Sequence, residues 1–527
     1  MEKIKFYYSQ NPLKTILLVA LLVRLLASFF SKGYAFHDDH FDVIRVAQNW
    51  AYGLPHWIES STPPKHSMVY PAFNACIIWL MDMFGATDPV FKTTVLRILH
   101  AFYSLLVVLF AFKITQIISN NKNAIHVAWI VSLLWFMPYL SVKFLAELVC
   151  VPPVLYAFYL ILKSDKQRGR GIIKYLVSGV FFAIAFSIRM HTVLFAGGLG
   201  LALLFEKKWS QSIYFTLGFL AAAFIFIGIP DILFFEYPFQ YVVNYFAYNA
   251  ENANNYITGS PFKFLLTTFG FLVPPVSVML MWGFIKAWNV NRKIFLAVLV
   301  FFIVHSLFPN KQERFILPMY PLLIIMGVIG WNQFIKSSDI WTRFPKAISR
   351  CWMFFWIVNG IASIALALTY SKKDRVAPIH YLSKKADLSS LIVESSRANS
   401  KQVPVYYLGR LAADYKDFQK GDILGMNDIR SSGKYLDSGM PFVFVLGSSK
   451  SVTDLKQEMK TVNREPNYIV FKGSEELPER IQRVMPLFPG KDFILETSVE
   501  PSSFDKLLHI LNPRRHRNET AHIYRVE

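Results

Sequence analysis

The residues of this chain that are best suited to chemistry form a short string, His37-Asp38-Asp39-His40, directly after the first long apolar segment. Ionisable groups at the edge of hydrocarbon are costly unless they have a partner or a function. A carboxylate there can act as a general base on a lipid-borne substrate, and a second carboxylate or an imidazole can orient the acceptor hydroxyl. Asp38 or Asp39 can also cap the start of a helix. The string by itself fits both interpretations equally.

A second polar string, Asn310-Lys311-Gln312-Glu313-Arg314, separates two late apolar segments. A lysine and an arginine at the mouth of a membrane site can hold a phosphate, which arginine binds in bidentate fashion. Glu313 can position Arg314 or hydrogen-bond a sugar. The alternative is an ordinary loop whose basic side chains extend to the interface. His305 lies in the apolar segment before the string, and this placement favours a functional site.

Three further sites place charge among apolar residues. The string Ser187-Ile188-Arg189-Met190-His191-Thr192 separates two apolar segments, and it either binds a lipid phosphate or caps the turn. Glu147 is costly in its apolar segment unless it is paired, and Lys143 is its predicted partner at i,i+4 spacing. Arg24 and Arg97 are predicted to reach the interface or to bridge helices.

A loop rich in tyrosine and asparagine, Tyr241–Phe262, contains Asn255 and Tyr256. Aromatic faces and amide groups bind sugars, so this composition suits a carbohydrate acceptor. It also suits an aromatic belt at the membrane interface. Composition alone does not separate the two interpretations.

The composition of the 527 residues indicates a polytopic membrane protein, because 54% are hydrophobic and only 17% are charged. The net charge of +20 agrees with basic cytoplasmic loops and with attraction to anionic lipid. Nucleic acid is a poor alternative partner, because the basic residues are scattered and form no stripe with aromatic residues. The three cysteines lie in apolar surroundings and suggest neither a metal site nor a disulfide framework.

Eleven apolar segments approach the length of about 20 residues that a membrane-spanning helix needs. The first follows lysines and lacks a cleavage site of small residues, so we interpret it as an uncleaved span. The shorter stretch 70–84 is predicted to be re-entrant or interfacial. The predicted spans cover residues 15–31, 94–118, 125–142, 144–162, 173–190, 192–205, 212–230, 264–285, 293–308, 315–335 and 351–370.

Basic residues predict the orientation of these spans, because cytoplasmic loops are rich in lysine and arginine. Four loops with basic clusters lie on the cytoplasmic side if the amino terminus is cytoplasmic and stretch 70–84 does not cross the membrane. Their basic clusters lie at 163–174, 207–208, 286–293 and 336–350. The loops that contain His37–His40, Asp231–Phe262 and Asn310–Arg314 then share the exoplasmic side. Since the orientation was derived without these motifs, their convergence supports a common site.

The chain becomes polar after Tyr370 and alternates between short strand and helix patterns, which is typical of a small α/β domain. Predicted strands are Val403–Leu408, Phe442–Leu446, Tyr468–Phe471 and Phe493–Glu496, and the amphipathic stretches between them are Asp387–Ser395 and Pro478–Met485. The sequence thus predicts an all-α membrane domain over residues 1–371, with a first exoplasmic loop at 32–93, and an exoplasmic domain over residues 372–527.

In this order, the motifs resemble those of glycosyltransferase family 22, the mannosyltransferases that use polyprenyl-phosphate mannose. The family has His-Pro-Asp-Glu where this chain has His37-Asp38-Asp39-His40, and His-Lys-Glu-x-Arg-Phe where it has Asn310–Phe315. Its Arg-Pro-Thr resembles Arg189–Thr192, and its Tyr-Gly-x-x-Pro loop resembles Tyr256–Pro261. Glu147 falls where the family has a similar glutamate.

The resemblance implies the GT-C fold and an inverting transfer that needs no metal or other cofactor. The implied base is Asp39, with Asp38 in reserve. Implied contacts to the donor are Lys311, Arg314, Arg189, His305 and Glu313. Implied contacts to the acceptor are His37, His40, Asn255 and Tyr256.

Mannose is the expected sugar, and arabinose, an aminosugar or glucose are the alternatives. The expected acceptor is a lipid-linked or exported glycan. A flippase for lipid-linked oligosaccharide is the rival class, but the polar residues cluster at one membrane face and no repeat is visible. A bacterial inner membrane is favoured over the endoplasmic reticulum, although Asn518-Glu519-Thr520 forms a glycosylation sequon.

Overall fold

The computed structural model describes residues 8–53, 66–166, 171–397, 402–410, 412–414, 441–513 and 519–527. Asn518 of the sequon and the basic residues Arg168 and Arg170 of one predicted cytoplasmic loop lie outside these ranges.

The chain forms two compact units. The first, here called the membrane unit, contains Met1–Ser28, Lys65–Tyr70 and Arg97–Leu368. The second, here called the sheet unit, contains Phe29–Pro64, Pro71–Leu96 and Thr369–Glu527. Most of the loop at 32–93 thus groups with the polar carboxyl-terminal part, whereas the sequence assigned that loop to the membrane domain.

Helices make up the membrane unit, because a backbone in hydrocarbon must satisfy its polar groups internally. Its α-helices are Pro12–Phe30, Pro89–Ile118, Asn121–Leu133, Met137–Leu140, Ala146–Val149, Val151–Lys166, Ile172–Ile188, Val193–Phe205, Trp209–Ala223, Ile229–Phe234, Gln240–Glu251, Lys263–Phe271, Val276–Lys286, Arg292–Leu307, Tyr320–Lys336, Asp339–Thr342 and Pro345–Ala367. Short 3-10 or π turns are Met190–Thr192, Phe224–Gly228, Ala287–Asn289 and Glu313–Met319.

Six helical stretches in the described ranges are long and apolar enough to cross a membrane, or seven if a bent pair counts as one span. The protein is therefore a multi-pass membrane protein, and the count of eleven spans stays a prediction. Glu313–Lys336 is the most buried of these stretches, because 94% of its most apolar 18 residues are buried inside the protein, against 28% for Pro12–Phe30.

Two predicted spans are interrupted where the sequence suggested continuous helices. The predicted span 264–285 consists of two helices, Lys263–Phe271 and Val276–Lys286. The stretches Lys263–Phe271 and Val276–Asn289 are bent by 118° relative to each other. Pro274 and Pro275 lie in the break and have no N–H to continue the helix. The predicted span 125–142 ends its first helix at Leu133, and only a short helix, Met137–Leu140, follows.

Helices Val276–Lys286 and Tyr320–Lys336 pack at very short range through glycines. A methyl group at Gly283 would overlap with the carbonyl oxygen of Gly327, and one at Gly330 would overlap with that of Gly283. Small residues of this kind let helix backbones approach closely in a membrane. Arg24 also joins helices, because its guanidinium donates to the Ser104 hydroxyl at 3.0 Å and to the carbonyl of Ser132 at 3.0 Å.

Within the described ranges, the sheet unit contains six strands, numbered β1 to β6, which are Ser390–Ser395, Ala413–Asp414, Phe442–Leu446, Tyr468–Lys472, Phe493–Val499 and Ala521–Val526. They form one sheet in the order β2-β3-β1-β4-β6-β5. Strands β1 to β4 are parallel where they pair, and β6 is antiparallel to both β4 and β5. Strands β1, β3 and β4 are buried along their whole length, as expected for parallel strands that are covered on both faces.

Two local predictions for this unit were wrong. The stretch 387–395 was interpreted as a helix but contains strand β1, and 403–408 was interpreted as a strand but contains a 3-10 turn, Val405–Leu408. Both sequences are short, and tertiary packing overrides such weak propensities. The unit's helices are Arg45–Ala51, most of Val69–Met83, Lys373–Ser383, Val452–Thr461, Leu477–Val484 and Ser503–Leu511, with a π turn at Asp39–Ile44 and a 3-10 turn at Met485–Leu487.

Candidate active-site residues

A buried carboxylate joins two arginines in the membrane unit. Glu147 is 1% exposed, and its Oε1 lies 2.9 Å from Arg189 Nη2 and 3.6 Å from Arg314 Nε. These arginines come from separate polar strings that the sequence placed at one membrane face. The predicted pair with Lys143 was wrong, because the helix that carries Glu147 begins at Ala146 and Lys143 therefore has no i,i+4 geometry. The Lys143 ammonium instead lies over the Tyr139 ring.

Phe315 lies against both guanidinium groups. The central carbons of Arg189 and Arg314 are each 5.5 Å from the centre of its ring, which is within the range of cation–π attraction. Arg314 Nε also donates to the side-chain oxygen of Gln312 at 3.0 Å. Gln312, Phe315 and Glu147 together hold the two cations side by side.

Two histidines complete this cluster. The rings of His191 and His305 meet edge to face with centroids 5.0 Å apart, and the His191 ring lies 5.2 Å from that of Phe315. His191 Nε2 is 2.5 Å from the hydroxyl of Tyr245. His305 Nδ1 donates to the carbonyl of Phe301 at 2.8 Å. The sequence pointed to His305 but did not include His191 among the site residues.

Lys311 occupies a different position from its neighbour Arg314. Its ammonium donates to the carbonyls of His305, at 3.1 Å, of Ser306, at 2.8 Å, and of Phe308. These carbonyls lie at the end of helix Arg292–Leu307, where such groups lack intrahelical partners. Lys311 thus caps this helix and adds positive charge there.

Glu313 forms an ion pair with Lys263. Its Oε1 lies 3.2 Å from Lys263 Nζ, and its side chain is 41% exposed. Lys263 also donates to the carbonyl of Lys311 at 2.7 Å. Arg314 has polar contacts with Gln312 and Glu147, whereas Glu313 forms its ion pair with Lys263.

The loop rich in asparagine and tyrosine is tied to the second polar string by its backbone. Thr258 forms an antiparallel bridge with Asn310, and Lys311 N–H donates to the carbonyl of Ile257 at 2.8 Å. Asn255 is exposed, and its amide donates to Asn252 at 2.9 Å. Tyr256 is 42% exposed, and its hydroxyl contacts that of Tyr248. The predicted acceptor residues Asn255 and Tyr256 therefore lie on an exposed loop.

The string His37–His40 lies in the sheet unit, where hydrogen bonds from the backbone fix the side chain of Asp39. Asp39 is 2% exposed, and its two oxygens accept the N–H groups of Ala35 and Phe36, each at 3.0 Å. Both donors precede the π turn that Asp39 begins, and Asp38, the residue before that turn, makes no capping bond with its side chain. These contacts fix the orientation of the Asp39 carboxylate.

His40 is buried between two tyrosines. Its ring stacks on Tyr34, with centroids 4.7 Å apart, and on Tyr407, with centroids 5.3 Å apart. Burial, followed by the nearby positive charge of Arg45, holds the pKa of His40 well below its usual value. His40 was predicted to contact the acceptor, and the structure places it inside an aromatic stack.

His37 and Asp38 are the more accessible members of the string, with side chains 59% and 33% exposed and 3.7 Å apart. Together with Asp42 they bring three possible ligand atoms within 4.8 Å of one another, a grouping that could hold a metal ion. The sequence predicted a reaction without a metal, and this stays a prediction.

Sequence and fold comparisons identify relatives of this chain. Residues 15–407 match the profile of the Alg9-like mannosyltransferase family. GPI mannosyltransferase 3 of Kluyveromyces lactis is 25% identical over an alignment of 243 residues, which covers 42% of this chain. The match spans only 39% of that relative's length.

Two solved structures share the fold. ArnT from Cupriavidus metallidurans, bound to undecaprenyl phosphate, superposes with a TM-score of 0.61 at 10% identity and covers 97% of this chain and 98% of ArnT. The oligosaccharyltransferase of Archaeoglobus fulgidus, in complex with Zn and sulfate, gives a TM-score of 0.54 at 10% identity, covering 91% and 72% of the two chains. Because the family profile matches about three quarters of the sequence, the chain belongs to the Alg9-like mannosyltransferase family.

Proposed function

We propose that this membrane glycosyltransferase moves mannose, with inversion, from a polyprenyl-phosphate donor to a lipid-linked or exported glycan. The observation that carries the proposal is the buried cluster of Glu147, Arg189 and Arg314. A pair of arginines that a single carboxylate holds in place is suited to a phosphate, because guanidinium groups bind phosphate oxygens in bidentate fashion.

The charges in this cluster suit such a donor. Two guanidinium groups and one carboxylate sum to a net charge of about +1, and a phosphodiester carries about −1. The departing phosphate gains negative charge as its bond to the sugar breaks. Arginines beside it stabilise that charge more strongly in the transition state than in the ground state, and this difference accelerates the reaction.

Asp39 is the proposed base, as the family resemblance implies. Its carboxylate takes the proton of the acceptor hydroxyl, whose oxygen forms a bond to the anomeric carbon of the sugar. The bond from that carbon to the phosphate oxygen breaks, and its electron pair stays with the phosphate. The buried carboxylate, oriented by the N–H groups of Ala35 and Phe36, suits this role, and Asp38 is the reserve.

The relatives support a lipid-phosphate donor. ArnT, which shares the fold, was solved with undecaprenyl phosphate, a lipid carrier of the proposed kind. The yeast relative is a GPI mannosyltransferase, which favours mannose over arabinose, an aminosugar or glucose. We place the catalytic face on the exoplasmic side, and we favour a bacterial inner membrane over the endoplasmic reticulum.

A donor panel tests this proposal. Purified protein is incubated with a glycan-lipid extract and with radiolabelled polyprenyl-phosphate mannose, polyprenyl-phosphate glucose or nucleotide-linked mannose. We expect label to enter the acceptor only from polyprenyl-phosphate mannose. Transfer from polyprenyl-phosphate glucose alone would show that the donor sugar is glucose instead of mannose. Transfer from nucleotide-linked mannose would contradict the proposed mechanism. If oligosaccharide lipid crosses vesicles without any transfer, the rival flippase is correct.

A further inference from the structure

Two buried histidine nitrogens beside the arginine pair lack partners within the described ranges of the chain. His305 is 6% exposed, and its Nε2 accepts no hydrogen bond, while its Nδ1 donates to Phe301. His191 Nδ1 is likewise buried and without a partner, while its Nε2 meets the Tyr245 hydroxyl. An unsatisfied buried polar group costs free energy comparable to a lost hydrogen bond, so a ligand that supplies partners is expected to gain affinity here.

The histidines lie next to the proposed phosphate contacts. Phe315 is a neighbour of all four side chains. The centre of its ring lies 5.2 Å from that of His191 and 6.5 Å from that of His305. The guanidinium carbons of Arg189 and Arg314 each lie 5.5 Å from the same centre. The phosphate and the sugar of a glycosyl phosphate are directly bonded to each other. A phosphate at Arg189 and Arg314 would therefore bring its sugar close to these rings.

The hydrogen-bonding character of His305 selects the group that it can bind. Because Nδ1 carries the proton that is donated to Phe301, Nε2 of the neutral ring is an acceptor. A phosphodiester has oxygens that only accept, so it offers nothing to this nitrogen. A sugar hydroxyl both donates and accepts, and it can serve His305 Nε2 and His191 Nδ1 together.

We propose that His305 and His191 bind a hydroxyl group of the donor sugar and thereby form a sugar subsite beside the phosphate site. This inference rests on the proposed function, because it requires a glycosyl phosphate as the ligand. It assigns His305, which the family resemblance implies only as a contact to the donor, to the sugar part of that donor. It also adds His191, oriented by Tyr245, to the donor contacts.

Equilibrium binding to two ligands tests the subsite. The ligands are polyprenyl phosphate, which is the carrier alone, and polyprenyl-phosphate mannose, and the protein is full length in nanodiscs. We expect His305→Leu to weaken binding of the mannose-loaded lipid about tenfold, or about 1.4 kcal/mol, and to leave carrier binding within about twofold. His305→Gln should restore most of the loss, because its amide oxygen can accept near the position of Nε2.

Two further variants make the result decisive. His126→Leu is the matched control. His126 lies in helix Asn121–Leu133 and packs on Trp352, so its replacement should change neither affinity. Arg314→Ala should weaken both ligands. If His305→Leu weakens both ligands equally or neither of them, the sugar subsite is wrong. If the wild-type protein binds neither ligand, the proposed function itself fails.

Discussion

At the scale of single residues, Asp39 is the side chain on which the proposed chemistry depends. An inverting transfer needs one base, and removal of a general base usually costs about a hundredfold to ten-thousandfold in rate. We therefore expect Asp39→Asn to lower kcat by at least about a hundredfold and to leave donor binding near normal. Single-turnover kinetics with labelled donor would measure this. Near-native turnover would remove Asp39 from the role, and inactivity of Asp38→Asn alone would transfer the role to Asp38.

His40 makes the stability of the sheet unit depend on pH. Its folded-state pKa lies below the ordinary value because the ring is buried and Arg45 is near. The unfolded chain takes up this proton first, so the contribution of His40 is complete above about pH 6.5 and is lost as the pH falls below that value.

The variant His40→Phe keeps an aromatic ring between Tyr34 and Tyr407 but cannot titrate. Thermal unfolding at pH 7.5 and pH 5.5 should show a larger fall in Tm for the wild-type protein than for this variant. The same fall in both proteins would mean that His40 does not cause the pH dependence.

The residue scale also shows what the sequence could not predict. Arg189, Arg314 and His305 were recognisable because charged groups in apolar surroundings are rare. The partner of Glu147 could not be recognised from the sequence. Lys143 is the nearest basic residue in the sequence, but it precedes the start of the short helix that carries Glu147. Gln312 and Phe315 lie within the second polar string and its family motif, but only their contacts with the arginines reveal their part in the cluster.

At the scale of elements, the glycine contact between Val276–Lys286 and Tyr320–Lys336 sets how closely two helices approach. An alanine at Gly283 would overlap with the Gly327 carbonyl, and overpacking typically costs about 1–3 kcal/mol. Gly360, within helix Pro345–Ala367, has open space around its Cα.

We expect Gly283→Ala to lower the thermal unfolding temperature, and Gly360→Ala to leave it unchanged or to raise it, since alanine favours a helix by about 0.5–1 kcal/mol. Unfolding in the same detergent would compare the two. Equal temperatures for the two variants would show that the close helix contact contributes little.

Elements were predicted unevenly from the sequence. Long apolar runs located the helices, because hydrophobic length is a strong pattern. The break after Leu133 was missed because it lies within continuous apolar sequence, and the break after Phe271 was missed although Pro274 and Pro275 mark it. In the sheet unit, β3 and β4 were predicted because they are buried apolar strands, whereas β6, Ala521–Val526, was missed because its residues alternate with polar ones at the end of a basic stretch.

At the scale of the whole molecule, orientation in the membrane is the first prediction. Loop charge predicts that the 32–93 loop and the carboxyl-terminal domain lie on the exoplasmic side. In a background without Cys76, Cys150 and Cys351, single cysteines at the exposed positions Thr87 and Lys456 should react with an impermeant maleimide in intact cells. A cysteine at exposed Ser337, in a predicted cytoplasmic loop, should react only after permeabilisation. If the Thr87→Cys protein reacts and the Lys456→Cys protein does not, the number of spans between the two positions has been miscounted.

The central claim is that Arg189 and Arg314, held by Glu147, stabilise the phosphate of a lipid-linked donor. The most direct measurement is the steady-state kinetics of Arg314→Ala and Arg314→Lys with polyprenyl-phosphate mannose. We predict that Arg314→Ala lowers kcat/KM for the donor about a hundredfold to a thousandfold, hardly changes the KM of the acceptor, and is poorly rescued by Arg314→Lys. Reduced expression with normal kinetics in the surviving protein, and full rescue by lysine, would contradict the claim.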